Sequence, residues 1–270
     1  GDLVLVAGLH LDAAGAALAT VSAQALSVVF AVVLFIKKDL PFKMTKKDFH
    51  LNTQCKKFLE IGLPLALQEF LTQLSFLALC AFINRLGLEA SSGYGVACKI
   101  VNFAMLIPSA LMQSLASFVS QNIGAGEYKR AKRCLFTGIG VGLTVGCFVF
   151  CLVIFKGDLL AGFFATEPAV IANAYDYLKG FALETLATAV LFSMIGYFNG
   201  TNKTLWVMAQ GLFQTLLVRL PLAYYMSIQP DASLMKIGLA APISTLVGVV
   251  LNICFYTYLN HAEKEKAVLN

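Results

Sequence analysis

Seven long stretches of uninterrupted apolar sequence, at about 13–36, 58–83, 94–120, 134–155, 179–199, 204–228 and 237–259, leave the chain few ways to fold. A bilayer core about 30 Å thick needs roughly 20 apolar residues in a helix, and each stretch reaches that length. Backbone polar groups in lipid are satisfied only in helices or closed barrels. The stretches lack the polar–apolar alternation of a barrel strand, so helices follow. The expected fold class is all-α integral membrane, with seven transmembrane helices. Residues of the AVILMFWYC class make up 59% of the chain and charged residues 13%. Soluble domains run at about 45–50% and about 25%, so the apolar excess has lipid to face.

The basic residues sort by loop. Lys37, Lys38, Lys43, Lys46, Lys47, Lys56 and Lys57 fill the first long loop, and Lys129, Arg130, Lys132 and Arg133 fill the third. Lys203 lies in the fifth, and Lys264 and Lys266 in the tail. Fourteen of the 20 lysines and arginines thus fall on one side, against Arg85, Lys156, Lys179 and Lys236 on the other. The positive-inside rule makes the fourteen-charge side cytoplasmic and puts the C-terminus there, in a multi-pass protein of the plasma membrane. The Lys-rich loop has no aromatic interleaving, which argues against nucleic acid and for contact with anionic lipid.

Residues 37–57 are the longest polar interruption and divide the first helix from the other six. Sliding the chain by 225 residues (240 − 15) lays Gly15–Thr20 on Ala240–Thr245 and matches Phe30 to Phe255, a weak repeat whose period contains six helices. The opening Gly1-Asp2-Leu3 has neither initiator Met nor basic n-region, so no signal peptide is legible and further sequence is expected upstream. Gly138, Gly142 and Gly146 recur every four residues and predict a flat stripe for close helix packing. Pro108 and Pro221 fall inside helices, where each removes a backbone bond and predicts a kink or hinge. The mixed segment 157–178, with Thr166-Glu167-Pro168 as a helix start, predicts a short helix lying at the outer interface.

Among the fifteen acidic residues, Glu69 and Glu184 fall well inside apolar runs. An ionised carboxylate there is costly and usually faces a cavity or a partner, so both are candidates for cation or proton coupling, Glu69 first and Glu184 second. Glu69 lies about 15 Å in from the cytoplasmic end of its run, near the midplane, with Gln68, Thr72, Gln73 and Ser75 completing a polar face. Glu184 is expected nearer the outer side, with Thr188 one turn below. Gln113, Gln210, Gln214 and Asn252, together with Gln68 and Gln73, are candidates for lining a solute cavity, although amides also join helices. Lys99 and Arg219 are expected to serve structure.

Catalysis is not expected. His10, His50 and His261 are too scattered for a metal site or a nucleophile–base arrangement, the seven cysteines show no paired spacing, and no Gly-Lys-Ser/Thr phosphate cradle exists. No cofactor and no metal are implied.

Several segments carry a family resemblance. Ile61-Gly-Leu-Pro-Leu-Ala-Leu-Gln68, Tyr94-Gly-Val-Ala-Cys-Lys-Ile100, Ser120-Gln-Asn-Ile-Gly-Ala-Gly126, Arg130-Ala-Lys132, Phe198-Asn-Gly200 and Arg219-Leu-Pro221 resemble, in order, the second half of a multidrug and toxic compound extrusion (MATE) transporter. The resemblance implies twelve helices in two six-helix lobes, bacterial-type multidrug efflux, and antiport of organic, often cationic solutes against H⁺ or Na⁺ by alternating access. Residues 1–36 would end the N-lobe as helix six, 37–57 would be a cytoplasmic interlobe linker, 58–260 the C-lobe and 261–270 a cytoplasmic tail. The partners implied are the bilayer, small organic solutes and the other half of the transporter. Sodium-coupled relatives would carry acids at the positions of Thr72 and Thr188; here Glu69 and Glu184 each stand one turn away, in opposite directions. An alternative within the superfamily, flipping of a lipid-linked oligosaccharide, would want several basic residues in the cavity, where Lys99 and Arg219 are available. A fragment that does not transport is the further alternative.

Overall fold

The computed structural model describes residues 12–37 and 53–269. Their helices are α1 (Asp12–Lys37), α2 (Thr53–Asn84), α3 (Leu88–Gly124), α4 (Tyr128–Gly162), α5 (Pro168–Gly200), α6 (Thr204–Leu212), α7 (Leu220–Ser227), α8 (Leu234–Gly238) and α9 (Ala240–Leu269). A π-helical segment, Phe213–Arg219, joins α6 to α7. Among the described residues there are seven helical spans long and apolar enough to cross a membrane.

The chain divides into two compact units, Gly1–Thr53 and Gln54–Asn270. The described part of the first is α1, whose Val21, Leu26, Phe30 and Leu34 are exposed. His10, His50 and most of the Lys-rich loop lie outside the described residues. The second unit is built around α5, which packs against α3, α4, α8 and α9. Small residues make that central position workable. A Cβ on Gly146 would lie 2.8 Å from the Thr185 carbonyl oxygen, and one on Gly142 would lie 3.3 Å from the Ala189 Cβ. Gly138 receives the Leu115 side chain of α3. The glycine stripe of α4 is therefore a packing surface, and α5 answers with its own: a Cβ on Gly196 or Gly200 would lie 2.6 or 2.8 Å from the backbone oxygen of Met112 or Ala116.

The turns on the basic side close by left-handed residues. Gly126 (φ 77°) and Asn202 (φ 64°) let Glu127 N–H reach the Asn122 carbonyl and Lys203 N–H reach that of Phe198, each at 2.8 Å. These bonds satisfy carbonyls that a helix end would otherwise leave bare. The Gln-Asn-Ile-Gly-Ala-Gly motif is thus, physically, a helix stop. Lys132 then ties the start of α4 to Asn260 near the end of α9, at 2.6 Å.

One expectation needs correction. No separate interfacial helix occupies 157–178: Pro168 sits in the first turn of α5, which continues as one helix to Gly200. The interruption comes earlier, at Lys156 (φ −139°, ψ 21°). There the Tyr175 ring fills the space over Gly157 and its hydroxyl donates to the Ile154 carbonyl at 2.6 Å, so an inserted side chain causes the kink. Glu184 lies at the middle of its helix. It stands sixteen residues from each end of α5, about 24 Å either way. Lastly, α9 carries its helical backbone on through the expected tail to Leu269.

Candidate functional site

Glu184 is held inside the six-helix unit by a chain of hydrogen bonds that crosses three elements. Thr245 of α9 donates to Glu184 Oε1 at 2.8 Å. Gln214 of the π-helical segment donates to Thr245 Oγ1 at 3.2 Å, and Gln210 of α6 donates to Gln214 Oε1 at 2.6 Å. Glu184 Oε2, Thr188 Oγ1 and Gln210 Oε1 remain buried with no hydrogen-bond partner. Unpaired buried polar atoms are costly, and they concentrate where a function needs them. Arg219 is the last residue of the π-helical segment.

The local sequence explains why the chain can reach across. Pro221 has no N–H, and in an α-helix its ring would meet the carbonyl four residues back, that of Leu217. The backbone widens just ahead of it, and Leu220 N–H bonds to the Thr215 carbonyl five residues back. Pro221 therefore produces π-helical turns, a recurrent device at functional sites. Two glycines clear space for the amides. A Cβ on Gly248 would collide with Gln214 Oε1 and come within 2.6 Å of Gln210 Nε2, and one on Gly211 would lie 2.6 Å from Gln68 Nε2. Gln68 of α2 thus adjoins the same group from the other side.

The remaining candidates sort differently. Glu69 is exposed on α2, where Gln73 Nε2 donates to its Oε1 at 2.9 Å. Thr72 spends its hydroxyl on the Gln68 carbonyl at 2.9 Å. Gln113 is exposed on α3, and α3 runs unbroken through the buried Pro108. Asn252 needs correction as a cavity residue. It is fully buried, and its Oδ1 accepts from the Trp206 indole at 2.8 Å while that ring stacks on Phe255, so it joins α6 to α9. Lys99 lies over the Phe164 ring and Arg219 over that of Phe76, at 5.8 and 4.2 Å. Among the described residues, no group of three His, Cys, Asp or Glu lies together.

Sequence reasoning missed Thr245, Gly248 and Gly211. Thr245 and Gly248 sit in the small-residue run of α9 and carry no chemical signal until the fold sets them against Glu184 and Gln214. The close-packing pair Gly196 and Gly200 was missed as well, although it shows the same four-residue spacing as Gly138, Gly142 and Gly146.

These features describe a multi-pass helical membrane bundle with a carboxylate and amides gathered from facing helices. The chain belongs to the MatE family, whose model matches residues 64–225, as the motifs implied. It is 24% identical over 277 residues to the probable multidrug resistance protein YoeA of Bacillus subtilis (strain 168), covering 98% of this chain and 58% of that protein. It is 26% identical to the multidrug export protein MepA of Staphylococcus haemolyticus (strain JCSC1435), covering 78% of this chain and 47% of that one. It is 25% identical to an FAD transporter of Shewanella oneidensis, with 98% and 59% covered. Its fold matches the outward-facing conformation of a multidrug resistance MATE family transporter of the MOP superfamily at a TM-score of 0.86 and 17% identity, over 97% of this chain and 59% of that one. The chain therefore spans about half to three-fifths of the length of the relatives it matches.

Proposed function

We propose that this chain forms the C-lobe and adjoining helix of a secondary active exporter that carries organic, often cationic, solutes out of the cell against H⁺ or Na⁺ by alternating access. In this reading residues 58–260 make the C-lobe, the basic loops and the C-terminus are cytoplasmic, and the other half of the transporter supplies the opposite wall of the path. The observation that carries the reading is the hydrogen-bond chain ending on Glu184 at the middle of a membrane-spanning bundle. A carboxyl there can take up and release a cation while its partners sit on separate helices. Binding one access state better than the other is what lets the ion drive the cycle. Glu184, with Thr188 beside it, is the leading coupling residue, and Glu69 with Thr72 on α2 is second. Gln68, Gln210 and Gln214 border the path. Lys99 and Arg219 both rest on aromatic rings, which favours cationic solutes over flipping of an anionic lipid-linked sugar. In the full-length protein, Glu184→Gln is expected to abolish gradient-driven dye efflux from cells while normal amounts reach the membrane. Undiminished efflux would sink the assignment.

A further inference from the structure

We propose that Gln214, set by the π-helical segment, positions the Glu184 carboxyl through Thr245. The proposal rests on Glu184 being the coupling carboxylate and adds the residues that orient it. Three independent adaptations converge on the Gln214 amide. The backbone widens where Gln214 sits, Gly248 of α9 leaves a space that a single Cβ would fill, and Thr245 offers a hydroxyl that can accept and donate at once. The direction of each bond is fixed by chemistry. Gln214 Nε2 can only donate, so Thr245 Oγ1 accepts there and turns its own proton toward Glu184 Oε1. Gln214 Oε1 is in turn held by Gln210 Nε2. Each donor polarises the next, so the orientation of Glu184 depends on an amide two links away.

The winding has a second effect. Gln214 and Arg219 are five residues apart, and α-helical turns of 3.6 residues would set them about 140° apart around the axis. Turns closed by five-residue bonds bring them toward one side. The relay amide and the Arg219 guanidinium are thereby presented together. A change of winding in this segment would move Gln214 and Arg219 at the same time, which gives the carboxylate and the sixth spanning segment a direct mechanical link.

The test reads the carboxyl itself. Infrared difference spectra of the purified full-length transporter, between acid and alkaline buffer and between sodium and choline, should contain a carboxyl band that disappears in Glu184→Gln. Thr245→Val should move that band to higher wavenumber, as a carbonyl that has lost its donor. Thr245→Ser should leave it near the original position. Gln214→Met, which keeps volume but has no amide, should move it in the same direction by a smaller amount. Gly248→Ala displaces the amide without touching Thr245 or Glu184 and serves as the second route, with the same expected direction, if Gln214→Met fails to accumulate. A band present but unmoved in Thr245→Val and in the Gln214 or Gly248 variants overturns the positioning role alone. No band lost in Glu184→Gln under either pair of conditions removes the coupling reading on which the proposal stands.

Discussion

Two helices of nearly equal length, α2 and α5, each carry one glutamate at the midpoint, and the two glutamates live in different worlds. In an 18-residue apolar window of each helix, buried residues make up 72% for α5 against 17% for α2, so what surrounds each carboxylate is decided by which helix it rides. Glu184 is surrounded by α3, α4, α8 and α9 packed onto its helix and receives Thr245 from α9. Glu69 finds its amide partner, Gln73, one turn along its own helix. Depth along the helix is therefore a poor guide to role. Convergence of groups from other helices is the better one, because only those groups can move relative to the carboxylate during a transport cycle.

That contrast can be broken most forcefully at the glycines. A Cβ on Gly180 would run into the Met235 carbonyl oxygen and lie 3.1 Å from Leu239 N, both backbone, whereas Gly62 on α2 has nothing within 4 Å. Gly180→Val should cost about 3 kcal/mol or prevent accumulation, the upper end of overpacking effects. Gly62→Ala should gain a few tenths to about 1 kcal/mol from helix propensity. Unfolding in mixed micelles reads both, and equal tolerance at the two sites would dissolve the distinction between a packed and an open helix. Gly146→Ala comes next. Its methyl would meet the Thr185 carbonyl oxygen at 2.8 Å, next to Glu184, and a loss of about 1–3 kcal/mol is expected in the same assay.

A smaller effect is expected at the Trp206–Asn252 bond, which joins α6 to α9 without touching the coupling group. Trp206→Phe keeps the stacking on Phe255 and should lose about 1 kcal/mol, with no change in the Glu184 infrared band. A displaced band would mean that Asn252 belongs to the coupling site after all.

Smallest of all is the ion pair of the α7–α8 loop. The Lys236 ammonium donates to Asp231 and holds its carboxyl below the usual carboxylate range. A depressed value contributes stability above the ordinary Asp pKa of about 3.9 and loses it as pH falls through the lower folded value. Asp231 is fully exposed, so water and salt screen the pair. Asp231→Asn should leave the thermal midpoint at neutral pH unchanged in physiological salt. A clear drop that added salt does not erase would contradict this.

The sequence made the membrane class and the helix number legible because a bilayer demands long apolar runs and little else satisfies it. It placed helix ends poorly. α4 begins at Tyr128 and α5 at Pro168, before their apolar runs, because polar turns that leave the bilayer core can still be helical. Pro221 announced a break, yet the sequence did not say whether the helix would kink or widen there. The site was half legible. An acid in an apolar run marks itself, but the sequence put Glu69 ahead of Glu184, the reverse of the order proposed from the hydrogen bonds. Their difference comes from Thr245, 61 residues from Glu184 in sequence, which is ordinary until packing brings it close. Asn252 misled for the complementary reason: a carboxamide reads alike whether it faces a cavity or holds an indole.

The most direct measurement of the central claim compares the two glutamates side by side. Full-length transporter, reconstituted in liposomes with an imposed H⁺ or Na⁺ gradient, is assayed for solute-linked ion flux as wild type, Glu184→Gln and Glu69→Gln. The account predicts that Glu184→Gln uncouples flux from the gradient entirely, while Glu69→Gln slows it but keeps the two linked. Coupling that survives in Glu184→Gln and vanishes in Glu69→Gln would contradict it.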